Sequence, residues 1–546
     1  MARRFARAVR LDREPKNSGA VLPLSMRRLR NDHGTNEAIV STPPGIAGIR
    51  ALPQRRWSVR GVAALAVAGL LAAASAGAEV PESGEALLPP AASQPADNAA
   101  GASPAAGSDS IIRNRIESAP GLLVAGERLD GTLLRQFYAA HNFEMVWATR
   151  QPQAQALINA VLRAGNHGLD PDLFHGALLR NAAALPPIER ELLLSDAFLG
   201  YAGALARGAV PIETRMDDED LTPEPINLAA ALDNAINSAD PAAAIEALAP
   251  NSPAYAALRQ ALQSYRSAAA GGETAPIGAA DSGTRQRQTA SADRTTDKTN
   301  EARLQQIAVN LERLRWLPRG LPADRVWVNT ANAELVLYRG DRPVFTTRVV
   351  VGETDKQTPE FRTTIDSLLF NPPWNVPISI ATQEILPKVA QDPEYLSRHH
   401  MVMRGNGAIQ QLPGAGTALG RLKFEMQDRF DVYLHDTPLK ALFARDNRRQ
   451  SHGCVRVQNP RDLAALLLRQ PVEVINQGIA LGYTNRRMLP APIPVFVVYQ
   501  TAFANADGGI EFRPDVYQRD PEIWQHLHPA RQAPVAQDNP TSQIRG

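Results

Sequence analysis

The sequence predicts a multidomain chain in which an α-helical domain precedes a mainly-β domain, with a disordered N-terminal region and tail at the two ends. Three observations predict it. Apolar residues recur at three- and four-residue spacing from Ile111 to about Ala270. Near-alternating apolar residues with turn signals begin near Arg325. Residues 1–110, 271–300 and 520–546 are poor in aromatics and rich in Ala, Pro, Ser, Gly, Asp and Arg. With those segments set aside, the 546-residue chain is long enough for two well-buried domains. Its 58 Lys+Arg against 56 Asp+Glu give a net charge of +2, so no global field attracts nucleic acid, and that partner class is excluded. One cysteine, Cys454, rules out an intramolecular disulfide and a zinc site built from several thiolates.

At the N-terminal end, residues 1–60 hold 13 Lys/Arg against 4 Asp/Glu and form a basic cytoplasmic leader. Residues 61–78, GVAALAVAGLLAAASAGA, are uncharged and apolar, which marks an export signal. The small residues Ala76-Gly77-Ala78 favour a cleaved signal peptide; a length near the spanning limit favours an uncleaved anchor. Either way the chain beyond residue 79 crosses the membrane, so the expected location is periplasmic, secreted or anchored in the inner membrane. Residues 79–110 lack periodicity and read as an Ala/Pro-rich tether.

Residues 111–270 form the helical domain. Leu133, Phe137 and Tyr138, then Leu157, Ile158, Val161 and Leu162, mark two of its helices, and NHGLDP and NSPAYAAL supply caps and stops between helices. His141 and His167 lie far from other ligand types and read as surface or cap histidines. Residues 271–300 read as a polar linker. The β-domain, 301–519, opens with RVWVNTANAELVLYRG and PVFTTRVVVG, and its closing strands are expected in FDVYLH, VEVINQG and IPVFVVYQTAF. Residues 371–412 include the helical excursion SIATQEILPKVAQDPEYLSRHH and are expected to form a flap over a site.

Chemistry concentrates in residues 432–468. His435 ends a strand, an Arg-rich loop follows, and Ser451-His452-Gly453-Cys454 begins sixteen positions later. In an exported chain an exposed thiol is open to oxidation, so a merely structural residue there is better served by Ala or Ser. A thiol needs a base or a positive charge to become a nucleophile, and His435, His452 and Arg456 are near in sequence. The amide N–H groups of Gly453 and Cys454 are candidate oxyanion donors. Two other readings compete: an inert buried cysteine, and a zinc site from His435, His452 and Cys454 with His399 or His400. The second lacks a carboxylate or second thiol at ligand spacing, so no metal is expected. Arg445, Arg448 and Arg449 read as a solvated loop face.

His435 followed by Ser451-His452-Gly453-Cys454-Val455-Arg456 resembles the signature of the YkuD-type L,D-transpeptidases. The phrases NPPWNVP, EILPK, GTALGRLKF and YLHDTP resemble the large periplasmic subgroup, and 111–270 resembles its scaffold domain. The resemblance implies a mainly-β L,D-transpeptidase catalytic domain with a capping flap. It also implies an acyltransferase in which Cys454 attacks a tetrapeptide stem of peptidoglycan, releases D-Ala and passes the thioester's acyl group to a second stem. It further implies His435 as general base, His452 as a helper, Gly453 with Cys454 as oxyanion donors, and Ser451, Arg456, Tyr433 and Asp436 as the substrate-binding set. No cofactor is implied, and carbapenem sensitivity is. The motif alone leaves open whether His435 or His452 is the base. One departure is that only the stretch 271–300 occupies the place of the peptidoglycan-binding module that large members often carry.

Two other functions compete. A cysteine peptidase, acting as an L,D-carboxypeptidase, would resolve the same thioester with water. A catalytically inert wall-binding scaffold would require an unreactive Cys454. Papain-like order is disfavoured because His435 precedes the cysteine, and sortase-like enzymes lack the Ser-His-Gly-Cys run.

Overall fold

The computed structural model describes residues 108–117, 121–215, 219–221, 223–271, 292–505 and 507–529. The expected leader, the 61–78 signal or anchor, and all but the last three residues of the 79–110 tether lie outside the described residues. Among the described residues no helix is long and apolar enough to cross a membrane.

The first half is helical, as its spacing predicts. Asp130, Asn227 and Asp240 each cap a helix by accepting a backbone N–H from its first turn. The helix Pro187–Arg207 buries Leu192, Leu193, Leu194, Phe198, Leu199, Tyr201 and Leu205, so it is enclosed on nearly every side and forms the axis of the helical core. His141 caps the helix Gly131–Ala140 and meets Asp233 at 2.7 Å. His167 departs from expectation: it is fully buried, with Nδ1 2.9 Å from the Tyr255 hydroxyl. Burial and the nearby Arg259 and Arg315 push its pKa down to about 3.

Two boundaries move. The helix Ala292–Arg315 begins inside the expected 271–300 linker and runs past residue 301. Its Ile307, Leu311 and Leu314, followed by Trp316, belong to the helical core. The expected 520–546 tail opens with a helix, Asp520–Leu527, whose Ile523 and Leu527 are buried in that same core. Four-residue spacing in so short and polar a segment is a weak signal, and only the packed partner reveals it.

The second half builds a closed barrel. Strands succeed one another in the order Leu422–Met426, Leu434–His435, Val455–Val457, Arg342–Gly352, Glu334–Arg339, Arg325–Asn329, Asn485–Val498 and Glu360–Phe370. The last pairs back with the first. Its interior is aliphatic and aromatic: Val326, Leu335, Val349, Ile365, Phe424, Leu434 and Val455 are all fully buried. The helices Pro460–Leu468 and Val472–Ala480 close one side with Leu463, Leu467, Ile475 and Ile479. VEVINQG is therefore helical where a strand was expected. Apolar positions 472, 475 and 479 keep helical spacing, and this longer period outweighs the brief Val-Glu-Val alternation.

One strand serves both halves. Along Asn485–Val498, Val495 and Val497 point into the barrel while Phe496 and Val498 point into the helical core, as a two-residue period requires. A buried charged seam reinforces the junction. Arg313 of the Ala292–Arg315 helix lies 2.6 Å from Asp520 and 3.9 Å from Glu360, and Arg519 lies 3.2 Å from Glu360. The two halves thus share a core.

Residues 371–412, where a flap is expected, hold a small layer of their own. Trp374–Asn375, Ile409–Gln411 and Met401–Met403 make a small antiparallel sheet. Short helical segments between 378 and 398 pack on it through Val376, Ala381, Ile385, Met401 and Ile409.

Leu527→Ala tests whether the C-terminal helix belongs to the core. Removing this fully buried side chain is expected to cost about 2–5 kcal/mol in denaturant unfolding, and a loss under about 0.5 kcal/mol would mean the helix is not anchored there.

Candidate active site

The strand Leu434–His435 pairs in parallel with Val455–Val457, with Leu434 opposite Val455 and His435 opposite Arg456; Val455 N–H donates to Tyr433 O at 3.0 Å. Side chains alternate along a strand, so Leu434 and Val455 fill the barrel while Tyr433, His435, Cys454 and Arg456 share the outer face. The next strand places Lys423 opposite His435, with its ammonium 4.2 Å from the Tyr433 ring centre. The Tyr433 and His435 rings meet edge to face at 5.6 Å.

His435 is buried, and its Nδ1 lies 2.5 Å from the Asp436 carbonyl. A carbonyl only accepts, so the ring proton sits on Nδ1 and Nε2 keeps its lone pair. Burial, and secondarily the charge of Arg456, lowers the ring's pKa to about 3, which keeps it a neutral base at physiological pH. Cys454 is half-buried, and its thiol donates to the Asp431 carbonyl at 3.8 Å. Burial pushes the thiol above its ordinary range, although hydrogen bonds from the Tyr433 backbone and hydroxyl act in the opposite direction. At rest the pair is thus neutral thiol and neutral imidazole.

The turn before Cys454 has its own internal bonds. Ser451 Oγ donates to the Cys454 carbonyl at 2.7 Å and accepts the Gly453 N–H at 3.2 Å. Gly453 has φ +112°, a backbone state that L side chains rarely adopt, so the motif's glycine is required by conformation. The expected oxyanion role of Gly453 has no support in this geometry, because its N–H is already taken by Ser451.

Other expected residues are redistributed. Asp436 is buried: its carboxylate accepts the N–H groups of Arg421 and Thr437 and the Lys440 ammonium at 2.6–2.8 Å, so it anchors the start of this loop. Gly420 permits this, since a Cβ there would lie 2.5 Å from that carboxylate. His452 reaches the 371–412 layer. Its Nε2 meets Glu384 of the flap at 2.5 Å, and Lys356 approaches the same carboxylate at 3.5 Å. The His452 bond holds the Glu384 carboxyl below its usual range. Arg448 and Arg449 are not a solvated face; they donate to the carbonyls of Asn332 and Ala331 at 2.8 and 2.6 Å and clamp the loop down. Among the described residues no three His, Cys, Asp or Glu side chains are grouped to hold a metal ion.

Several contributors were not read from the sequence. Glu384 lies in a segment recognised as a flap, but its type and position gave no sign of a partner 68 residues away. Trp374, also in the flap, acts on the Tyr433 hydroxyl, lowering its pKa against the larger effect of burial, so the flap reaches the site from a second point.

Fold and site together define a two-part protein, a helical scaffold fused to a β-barrel that carries a thiol beside a neutral imidazole under a flap. Residues 323–474 match the L,D-transpeptidase catalytic domain family, YkuD, and residues 132–262 match the Scaffold domain family; the chain carries both domains. It is 33% identical over 242 residues to a Haemophilus influenzae protein named "Putative L,D-transpeptidase". The match covers 40% of this chain and 49% of that one, so the chain spans about half the length of the curated relative it matches. Among solved structures, it is 13% identical to L,D-transpeptidase 3 from Mycobacterium tuberculosis in complex with a faropenem-derived adduct, covering 33% of this chain and 62% of that one with a TM-score of 0.18. It is also 13% identical to a cysteine-to-serine mutant of the Enterococcus faecium L,D-transpeptidase, covering 37% of this chain and 64% of that one with a TM-score of 0.17.

The neutral-pair geometry predicts a pH profile. A thiol raised by burial is deprotonated only above its ordinary range, so Cys454 alkylation by iodoacetamide should keep climbing with pH beyond about 9. A plateau between about pH 6 and 8 would instead indicate a preformed thiolate–imidazolium pair.

Proposed function

We propose that this protein is a peptidoglycan L,D-transpeptidase that works through a Cys454 thioester. The observation that carries the reading is Cys454 on the same sheet face as a neutral, Nδ1-anchored His435. In the proposed cycle His435 Nε2 takes the thiol proton as Sγ attacks the carbonyl carbon of the amide between diaminopimelate and terminal D-Ala. The Cys454 N–H supports the oxyanion. The amide C–N bond then breaks, His435 returns the proton to the leaving amine, and D-Ala departs. An amine of a second stem attacks the thioester, gives its proton to His435, and expels the sulfur, which recovers that proton from His435, leaving a cross-link between the third residues of two stems. Arg456 and Tyr433 line the same face, with Arg456 suited to a substrate carboxylate. His452, bonded to Glu384, holds the flap over the site and is not the base.

The domain families support this reading, since a YkuD catalytic domain with a Scaffold domain is the composition of enzymes acting on peptidoglycan stems. Such a substrate places the enzyme outside the cytoplasm, in agreement with residues 61–78 as signal peptide or membrane anchor.

Incubation with disaccharide-tetrapeptides, followed by mass analysis, tests the assignment. Cross-linked dimers with loss of D-Ala are expected; tripeptides alone would establish the carboxypeptidase, and no change the inert scaffold. Cys454→Ser should remove turnover. His435→Asn should slow acylation on the order of a hundredfold, about 2.7 kcal/mol of barrier, with a smaller effect from His452→Asn. A reversed order would make His452 the base.

A further inference from the structure

Behind the Cys454 turn lies a bracing loop that the proposed chemistry does not use. Thr358 is fully buried, and its hydroxyl makes two bonds: it accepts the Gly352 N–H at 2.9 Å and donates to the Gly453 carbonyl at 2.7 Å. The second bond reaches the residue preceding Cys454, at the point where the backbone adopts φ +112°. Gly352 ends a barrel strand and is packed so tightly against the 356–358 backbone that a Cβ there would lie 2.2 Å from the Lys356 carbonyl. Glu353 N–H donates to the Ser451 carbonyl at 2.9 Å. Loop and turn thus form one hydrogen-bonded unit, and Thr358 is the side chain that joins them.

That loop is held in turn from the C-terminal segment. Tyr517 donates its hydroxyl to the Gly352 carbonyl at 2.7 Å. Arg519, fully buried, donates to Gln357 Oε1 at 2.8 and 3.0 Å, to the Thr358 carbonyl at 3.4 Å, and to Glu360 at 3.2 Å. Glu360 also faces Arg313 of the helical core. A continuous run of buried polar contacts therefore leads from the scaffold, through Arg519 and Thr358, to the turn carrying the sulfur.

We infer that Thr358 is a positioning residue for Cys454, braced by Tyr517 and Arg519, and that residues 513–520 are part of the machinery that aims the thiol. The inference rests on the transpeptidase reading for its turnover arm only. Thr358→Val keeps the shape and loses both hydroxyl bonds; Thr358→Ser keeps both; Tyr517→Phe removes one brace while preserving the ring stack on Tyr499, whose centre lies 5.1 Å away. The purified full-length protein and each variant are compared by melting temperature, kcat and KM for D-Ala release from a tetrapeptide stem, and the iodoacetamide alkylation rate of Cys454 against pH. Misplaced reacting groups lower kcat steeply. Thr358→Val should therefore lose about tenfold or more in kcat with KM nearly unchanged and should shift the alkylation profile, Tyr517→Phe should do so to a smaller extent, and Thr358→Ser should stay within about twofold of wild type. A Val variant matching wild type in both readouts, or a Ser variant as impaired as Val, overturns the inference. If wild type releases no D-Ala, the transpeptidase reading fails and the alkylation profiles alone decide the positioning role.

Discussion

The parallel pairing of Leu434–His435 with Val455–Val457 is the constraint on which the site depends. Two aliphatic side chains, Leu434 and Val455, are drawn into the barrel, and the alternation of the strand then leaves His435 and Cys454 no choice but the opposite face. A slip of one residue would bury the imidazole in an apolar core and expose two aliphatics, so the register is held by the hydrophobic effect over several residues. The placement of these two side chains is thus a by-product of core packing. The ionisation states follow from the same burial, which disfavours charge on both the imidazole and the thiol.

A second consequence of packing is that scaffold and barrel are not independent bodies. The strand Asn485–Val498 divides its side chains between two cores, and the Arg313, Glu360, Arg519 and Asp520 seam fixes their docking with paired buried charges. Removing any one partner from such a seam leaves an uncompensated charge, so the seam specifies orientation strongly. The flap is the counterpoint. Its apolar cluster is small and its ties to the site are polar, through Glu384 to His452 and Trp374 to Tyr433. Polar ties of this kind are cheaper to break than a shared core, which marks this layer as the most easily displaced of the three.

Much of this was legible in the sequence. A lone thiol in a Ser-His-Gly-Cys run, a histidine ending a strand sixteen residues before it, and the switch from helical to strand spacing mark both halves and single out the candidate site. What sequence could not supply were partners distant along the chain. Glu384 and His452 are 68 residues apart, Thr358 and Gly453 are 95 apart, and nothing in a single Glu or Thr announces such a contact. The partners of Gly453 and Asp436 were illegible for a related reason: the sequence names groups able to bond, and only the fold shows that they meet Ser451, Arg421 and Lys440. The helix at 292–315 was missed because Asn310, Glu312, Arg313 and Arg315, all buried, give its core-forming half a polar appearance, and the helix at 520–527 because only Ile523 and Leu527 mark its buried side.

The claim at the centre is that Cys454 becomes covalently acylated. Intact-protein mass spectrometry after brief mixing with a disaccharide-tetrapeptide, followed by peptide mapping, examines it directly. The account predicts an increment equal to the substrate less D-Ala, located on the peptide containing Cys454 and absent from Cys454→Ser. Release of D-Ala with no increment at any quench time, or an increment on another residue, would contradict it.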